Sequence, residues 1–181
     1  MPVLSPKEFL EVEDERIRSG LNRLAPDINE ISSQSFGHSS ISDTVATAIQ
    51  KGEYIGYLEM NGRVVAAGFG KEDTASGSHK TMYIHTFSVN SEYRGQGLCQ
   101  KITNEFIKKF GKKYILYLTV RTEAGNVNES AIRCYEKNGF TMLPEVYRDH
   151  YDGKNNAMVR VPTSVKRSRK QTRRRRKKKS D

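Results

Sequence analysis

A chain of 181 residues has room for one domain of ordinary size and a sizeable core without disulfide or metal staples. Its formal charge of +10 sits in one place: eleven of the 31 Lys and Arg residues lie between Lys166 and Lys179, and the first 165 residues carry 20 basic and 20 acidic side chains. Cys99 and Cys134 are too few for a secreted disulfide framework and match no zinc spacing, and no apolar run has signal-peptide or membrane-spanning length, so a reduced intracellular protein without membrane contact is expected.

In chain order, the segment from Arg16 to Leu21 reads as a first edge strand. Pro26-Asp27 opens a helical pattern with Ile28 and Ile31 on one side, and Ile41 to Ile49 suggests a second helix closed by Gly52. Tyr54 to Met60, Asn61-Gly62 and Arg63 to Phe69 form a hairpin, Asn-Gly being a strong two-residue turn signal. Gly70 to Lys80 is polar and glycine-bearing, as a loop should be. Thr81 to Val89 is the next strand, and strict alternation places Tyr83, His85, Phe87 and Val89 on one face with Ile84, Thr86 and Ser88 on the other.

After a turn from Arg94 to Cys99, the residues Leu98, Ile102, Phe106, Ile107 and Phe110 recur at helical spacing until Gly111. Tyr114 to Val120 is an apolar strand of the kind buried on both faces. A further helix follows, with Asn128 as N-cap and Gly139 just past its end. Phe140 to Met142, Val146 to Tyr151, the Asp152-Gly153 turn and Ala157 to Val161 complete the sheet. The order implies an α+β layered domain over residues 1–162, and 163–181 form a basic tail with nothing in Lys166 to Lys179 to bury, expected to be disordered.

The turn Arg94-Gly95-Gln96-Gly97-Leu98-Cys99 lies between a strand and a helix. There, glycines let backbone N–H groups converge on an anion, and the helix N-terminus adds partial positive charge. A phosphate would be well held, although a glycine pair also makes ordinary tight turns. Position 100 is Gln, which excludes the dinucleotide fingerprint, and no Gly-Lys-Ser/Thr follows Gly97, which excludes a P-loop.

The stretch Asn128-Glu129-Ser130-Ala131-Ile132-Arg133-Cys134-Tyr135-Glu136-Lys137-Asn138-Gly139-Phe140 sharpens the reading. With it, the chain resembles the GNAT superfamily of acetyl-CoA dependent N-acetyltransferases. That family carries Arg/Gln-x-x-Gly-x-Gly/Ala after a strand and Asn-x-x-Ala-x-x-x-Tyr-x-x-x-Gly-Phe on its next helix. Cys99 departs from the pattern, which has glycine or alanine there. The resemblance, running from about Ile17 to Val161, implies the GNAT three-layer fold, a mixed and mostly antiparallel sheet flanked by helices, with acetyl-CoA as cosubstrate. It also implies roles: backbone groups of Phe87, Ser88 and Val89 would bind the pantetheine arm, and the amides of Arg94, Gly95, Gln96, Gly97, Leu98 and Cys99 would cradle the pyrophosphate. Asn128 would touch the coenzyme near its pantetheine end, and Tyr135 would protonate the departing thiolate. A phenol of ordinary pKa near 10 is a competent acid for that task.

An amine nucleophile must shed a proton, and His85, on the strand beside the expected acetyl position, is the candidate base. A histidine there resembles the arylalkylamine branch of the family, whereas many members use a glutamate where this chain has Tyr83. A hydrogen-bonded core histidine is the plainer alternative. The expected reaction is direct attack of the amine in a ternary complex, with no acyl-enzyme, and both cysteines are structural or incidental. The acceptor is open among a small amine, a protein lysine or an N-terminus. A polyamine would require Glu53, Glu59, Glu72 and Asp73 to converge. The tail suggests nonspecific nucleic-acid contact through Lys166 to Lys179, nuclear localisation with the cytoplasm as the alternative, or self-acetylation. A nonenzymatic nucleic-acid binding protein on a degenerate scaffold is the rival reading.

Overall fold

The computed structural model describes residues 2–36, 44–73, 80–120, 122–123, 126–148 and 154–162. The basic tail, residues 41–43 of the expected second helix, the loop at 74–79 and the Asp152-Gly153 turn lie outside the described residues. The elements run β1 (Val3–Leu4), α1 (Pro6–Arg18), α2 (Leu24–Phe36), α3 (Val45–Gln50), β2 (Tyr54–Met60), β3 (Arg63–Asp73), β4 (Thr81–Val89), a 3-10 turn (Ser91–Tyr93) and α4 (Leu98–Phe110). They continue as β5 (Ile115–Val120), β6 (Thr122–Glu123), β7 (Asn126–Val127), α5 (Glu129–Lys137), β8 (Thr141–Arg148) and β9 (Lys154–Arg160).

Seven strands make one sheet in the order β1-β2-β3-β4-β5-β9-β8. Every pairing is antiparallel except β4 with β5. One face carries α1, α2 and α3, whose Phe9, Leu24, Ile28, Ile31, Val45 and Ala48 close over Ile55, Val64, Ala67 and Phe69. The other carries α4 and α5, where Leu98, Ile102, Phe106, Phe110, Cys134 and Tyr135 cover Val65, Met82, Ile84, Leu116 and Leu118. The result is the expected three-layer fold.

The edge strand expected at Arg16 to Leu21 is instead the end of α1 and its exit. Ser5 and Glu8 form a reciprocal capping box, and Pro6 opens the helix, so local signals drive it despite a thin apolar face: Phe9 is buried while Leu10 and Ile17 are exposed. The edge is made by Val3–Leu4, pairing with Gly56 and Ile55. The loop expected from Gly70 is in part strand, since β3 reaches Asp73 and pairs with β4 to its first residue, Thr81. β5, expected to be buried on both faces, buries Leu116, Leu118 and Val120 fully while Ile115, Tyr117 and Thr119 stay half-buried.

Candidate active site

β4 departs from the alternation expected of it. Thr86 has φ 57, and the pairing with β3 slips between Ala67 opposite Ser88 and Phe69 opposite His85, so Thr86 and Phe87 together face Gly68. This is a β-bulge, and one extra residue inverts the parity of everything after it. Before the bulge, His85 stacks on Phe69 at 6.0 Å and on Tyr83 at 5.6 Å, on the face of α1 to α3. After it, Phe87 and Val89 pack into the core under α4, with the Phe87 ring edge-on to Phe106 at 5.5 Å and 5.8 Å from the Tyr135 ring. His85 and Phe87 therefore lie on opposite faces, correcting the alternation reading.

The same region opens the sheet. The parallel register of β4 and β5 pairs Thr81 with Ile115, Met82 with Leu116 and Tyr83 with Tyr117, and goes no further. Beyond Tyr83 the two strands diverge, leaving the backbone edge of Ile84 to Val89 facing a split. Tyr83 stacks on Tyr117 at 4.8 Å across the last paired rung, and their neighbour Thr119 shares a hydrogen bond of 3.1 Å with the Tyr83 hydroxyl.

Next to the split stands the start of α4. Gly95 and Gly97 have φ 79 and 72, and a side chain built on Gly95 would meet nothing within 4 Å. Gly97 is the N-cap and supplies no side-chain cap, whereas Ser5, Thr44 and Asn128 each cap their helices through a side-chain oxygen. The first N–H groups of α4 are thus left for an outside acceptor. Arg94, Gly95, Gln96 and Gly97 are exposed, Leu98 is buried and anchors the helix, and the Arg94 Nε donates to the Val89 carbonyl at 3.5 Å. A diphosphate fits this cradle by charge and by open space. Ser88 Oγ, buried on the strand beside it, has no hydrogen-bond partner among the described residues.

Tyr135 is 8 % exposed, between Phe87 and Phe140, and burial pushes its phenol well above the ordinary value, so it holds its proton throughout the neutral range. Asn128 caps α5, its Oδ1 accepting from the Ala131 N–H at 3.0 Å and the Ser130 hydroxyl at 2.9 Å. The four acidic residues considered for a polyamine are each engaged by another side chain. Glu59 pairs with Arg16, Glu72 accepts from the hydroxyls of Tyr54 and Tyr114, Asp73 accepts from Tyr117, and Glu53 meets His85.

Three features escaped the sequence reading. The bulge has no signal in an apolar alternation. Glu53 sits 32 positions from His85, although a carboxylate directly behind Gly52 at the end of α3 hints at an inward turn. Cys99 and Cys134, expected to be reduced and either structural or incidental, are instead joined in a disulfide with Cα atoms 6.3 Å apart, because α5 packs alongside the N-terminus of α4.

Residues 22–140 match the model of the acetyltransferase (GNAT) family. The chain belongs to this family. A relative from Schizosaccharomyces pombe (strain 972 / ATCC 24843), N-alpha-acetyltransferase 30, is 30% identical over 93 residues, which are 51% of this chain and 61% of the relative. Among solved structures of the same fold, the NatC complex bound to Gag peptide and CoA aligns with TM-score 0.59 at 19% identity, covering 77% of this chain and 90% of the other. Arabidopsis thaliana Naa50 in complex with the bisubstrate analogue CoA-Ac-MVNAL aligns with TM-score 0.57 at 23% identity, covering 81% and 91%. In this chain the bulge, the split and the uncapped helix start lie together along the second half of β4 and its exit.

Proposed function

We propose that the chain transfers the acetyl group of acetyl-CoA to a primary amine by direct attack in a ternary complex. The split between β4 and β5 beside the uncapped start of α4 carries this reading. It offers a strand edge to an amide-bearing arm and a cluster of N–H donors to a diphosphate, in the order in which the coenzyme presents them. Phe87, Ser88 and Val89 bind the arm. Arg94, Gly95, Gln96, Gly97, Leu98 and Cys99 hold the diphosphate, and Asn128 lies near the pantetheine end. The amine arrives from the His85 face and the coenzyme from the Tyr135 face, so the two reactants meet through the gap and not across a single surface. The bulge removes backbone groups from the ladder at that level, where an N–H can hold the developing oxyanion. His85 receives the proton of the amine, and Tyr135 gives its own to the leaving sulfur.

For the acceptor we favour a peptide N-terminus. The support is the S. pombe N-alpha-acetyltransferase relative, together with the engagement of each carboxylate that a polyamine would need by a side chain of the protein itself. The domain ends at Pro162. The eleven cations beyond it serve as an arm for nucleic acid and a nuclear signal, apart from the chemistry.

A panel of free-amine pentapeptides, polyamines and aryl amines with thiol release as readout tests the proposal. Turnover is expected on the pentapeptides and not on polyamines. Absence of thiol release with every amine would overturn the catalytic reading in favour of a nonenzymatic one.

A further inference from the structure

The imidazole of His85 is held from both sides. Its Nε2 lies 3.0 Å from Glu53 Oε2 and its Nδ1 lies 3.2 Å from Thr86 Oγ1. Glu53 is 2 % exposed, on the turn where Gly52, at φ 70, ends α3 and the Glu53 N–H returns to the Ala48 carbonyl at 2.8 Å. A carboxylate is rarely buried so deeply unless it is paired, and the partner here is a ring 32 residues away on another element.

A carboxylate only accepts hydrogen bonds, so Nε2 must carry the proton. The lone pair is then on Nδ1, and the Thr86 hydroxyl donates to it. The ring cannot adopt the other tautomer without setting a bare nitrogen against an anion in a buried place. Thr86 belongs to the bulge itself, so the basic nitrogen is held against the residue at which β4 slips its register on β3.

We propose that Glu53 is a positioning residue that fixes the tautomer and orientation of His85 so that Nδ1 is the base in acetyl transfer; this rests on the acetyltransferase reading above. The amine proton passes to Nδ1, either directly or through the Thr86 hydroxyl, which takes that proton while handing over its own. The bond broken is N–H of the amine, the bond formed is N–H of the imidazole, and no electrons change hands. The proton leaves to solvent after product release.

Glu53→Gln is isosteric and tests the role of the charge. A glutamine offers an acceptor to an N–H and a donor to a bare nitrogen, so it pairs with either tautomer and the preference is lost. With the full chain, acetyl-CoA and the best of the pentapeptides, E53Q should lower kcat by roughly 10- to 10²-fold while leaving the KM for acetyl-CoA unchanged. His85→Gln should lower it at least as much. Imidazole ¹⁵N shifts of the unmutated chain should report the Nε2-protonated tautomer, a measurement that needs no variant to fold. If H85Q is crippled and E53Q matches the wild type, or if the shifts show Nδ1 protonated, the role of Glu53 is overturned. If H85Q itself turns over normally, the base assignment falls. If the wild type moves no acetyl group to any amine, the acetyltransferase reading falls instead.

Discussion

Thr86 adopts a left-handed backbone that costs a β-branched residue about 1 to 3 kcal/mol, and such strain persists only where the surroundings impose it. What imposes it is the packing on either side. His85 is locked by Glu53 and Phe69 on one face, and Phe87 is pressed onto the backbone of Gly68 on the other, where a Cβ would stand 2.6 Å from the Phe87 ring. Gly68→Ala should therefore overpack the bulge and cost about 1 to 3 kcal/mol, seen as a melting point lower by roughly 3 to 10 °C. An unchanged melting point would show that Phe87 moves aside freely. Tyr135→Phe should leave coenzyme affinity intact and lower kcat by about 10² to 10⁴-fold. Because burial raises the phenol, its ionisation should leave no basic limb in the rate profile below about pH 10. At this scale the sequence was partly legible. The turn at Gly95 and Gly97 and the cap at Asn128 were legible as local structure, whereas the bulge follows from the fit of Phe87 against Gly68 and Phe106, which alternation does not record.

The elements around the site are tied to one another more firmly than their sequences suggest. The Cys99–Cys134 bond fastens the start of α4 to α5, so the proposed cradle and the tyrosine are covalently linked across 35 residues. A crosslink closing a loop of that length contributes about 3 to 4 kcal/mol, and reduction should lower the melting point by on the order of 10 °C. Cys134→Ser should melt at the lower temperature with or without reductant; a melt insensitive to reductant in the wild type would mean that the bond is not formed in solution. On the far side, α1 is fixed through Glu8, whose carboxylate accepts from the Ser5 backbone and hydroxyl and lies 3.2 Å from Lys109 of α4. Those contacts hold its pKa at about 2, well below the usual 4.5. A depressed carboxylate adds stability above its unfolded pKa and loses it as pH falls toward the folded one. Glu8→Gln should thus be less stable than wild type at neutral pH, with the gap closing between about pH 4.5 and 2, as acid titration followed by circular dichroism would show. The capping box was present in the sequence, Ser5 to Glu8, but the sparse apolar face of α1 concealed it, and the thiol pairing depends on helix packing alone.

Across the whole molecule, the excess positive charge is confined to Lys166 to Lys179. Periodicity and turn residues made an α+β layered domain legible along most of the chain, whereas the three-layer arrangement and its mixed sheet were legible only through the family resemblance. The acceptor was not, because specificity is set by side chains that meet only after folding. Truncation after Pro162 should leave peptide acetylation unchanged. It should abolish salt-sensitive binding to duplex DNA, whose logarithmic slope for the full chain is about 0.9 per phosphate contact. Retained DNA affinity would place that surface on the domain.

The central claim, that amides at the start of α4 grip the coenzyme diphosphate beside the β4–β5 split, is tested most directly by an amide chemical-shift titration of the full chain with coenzyme A and with pantetheine. The account predicts that coenzyme A shifts Gly95 to Cys99 together with Phe87 to Val89, and that pantetheine, lacking the diphosphate, shifts only the strand. Shifts confined to the basic tail, or a loop at 95–99 indifferent to coenzyme A, would contradict it.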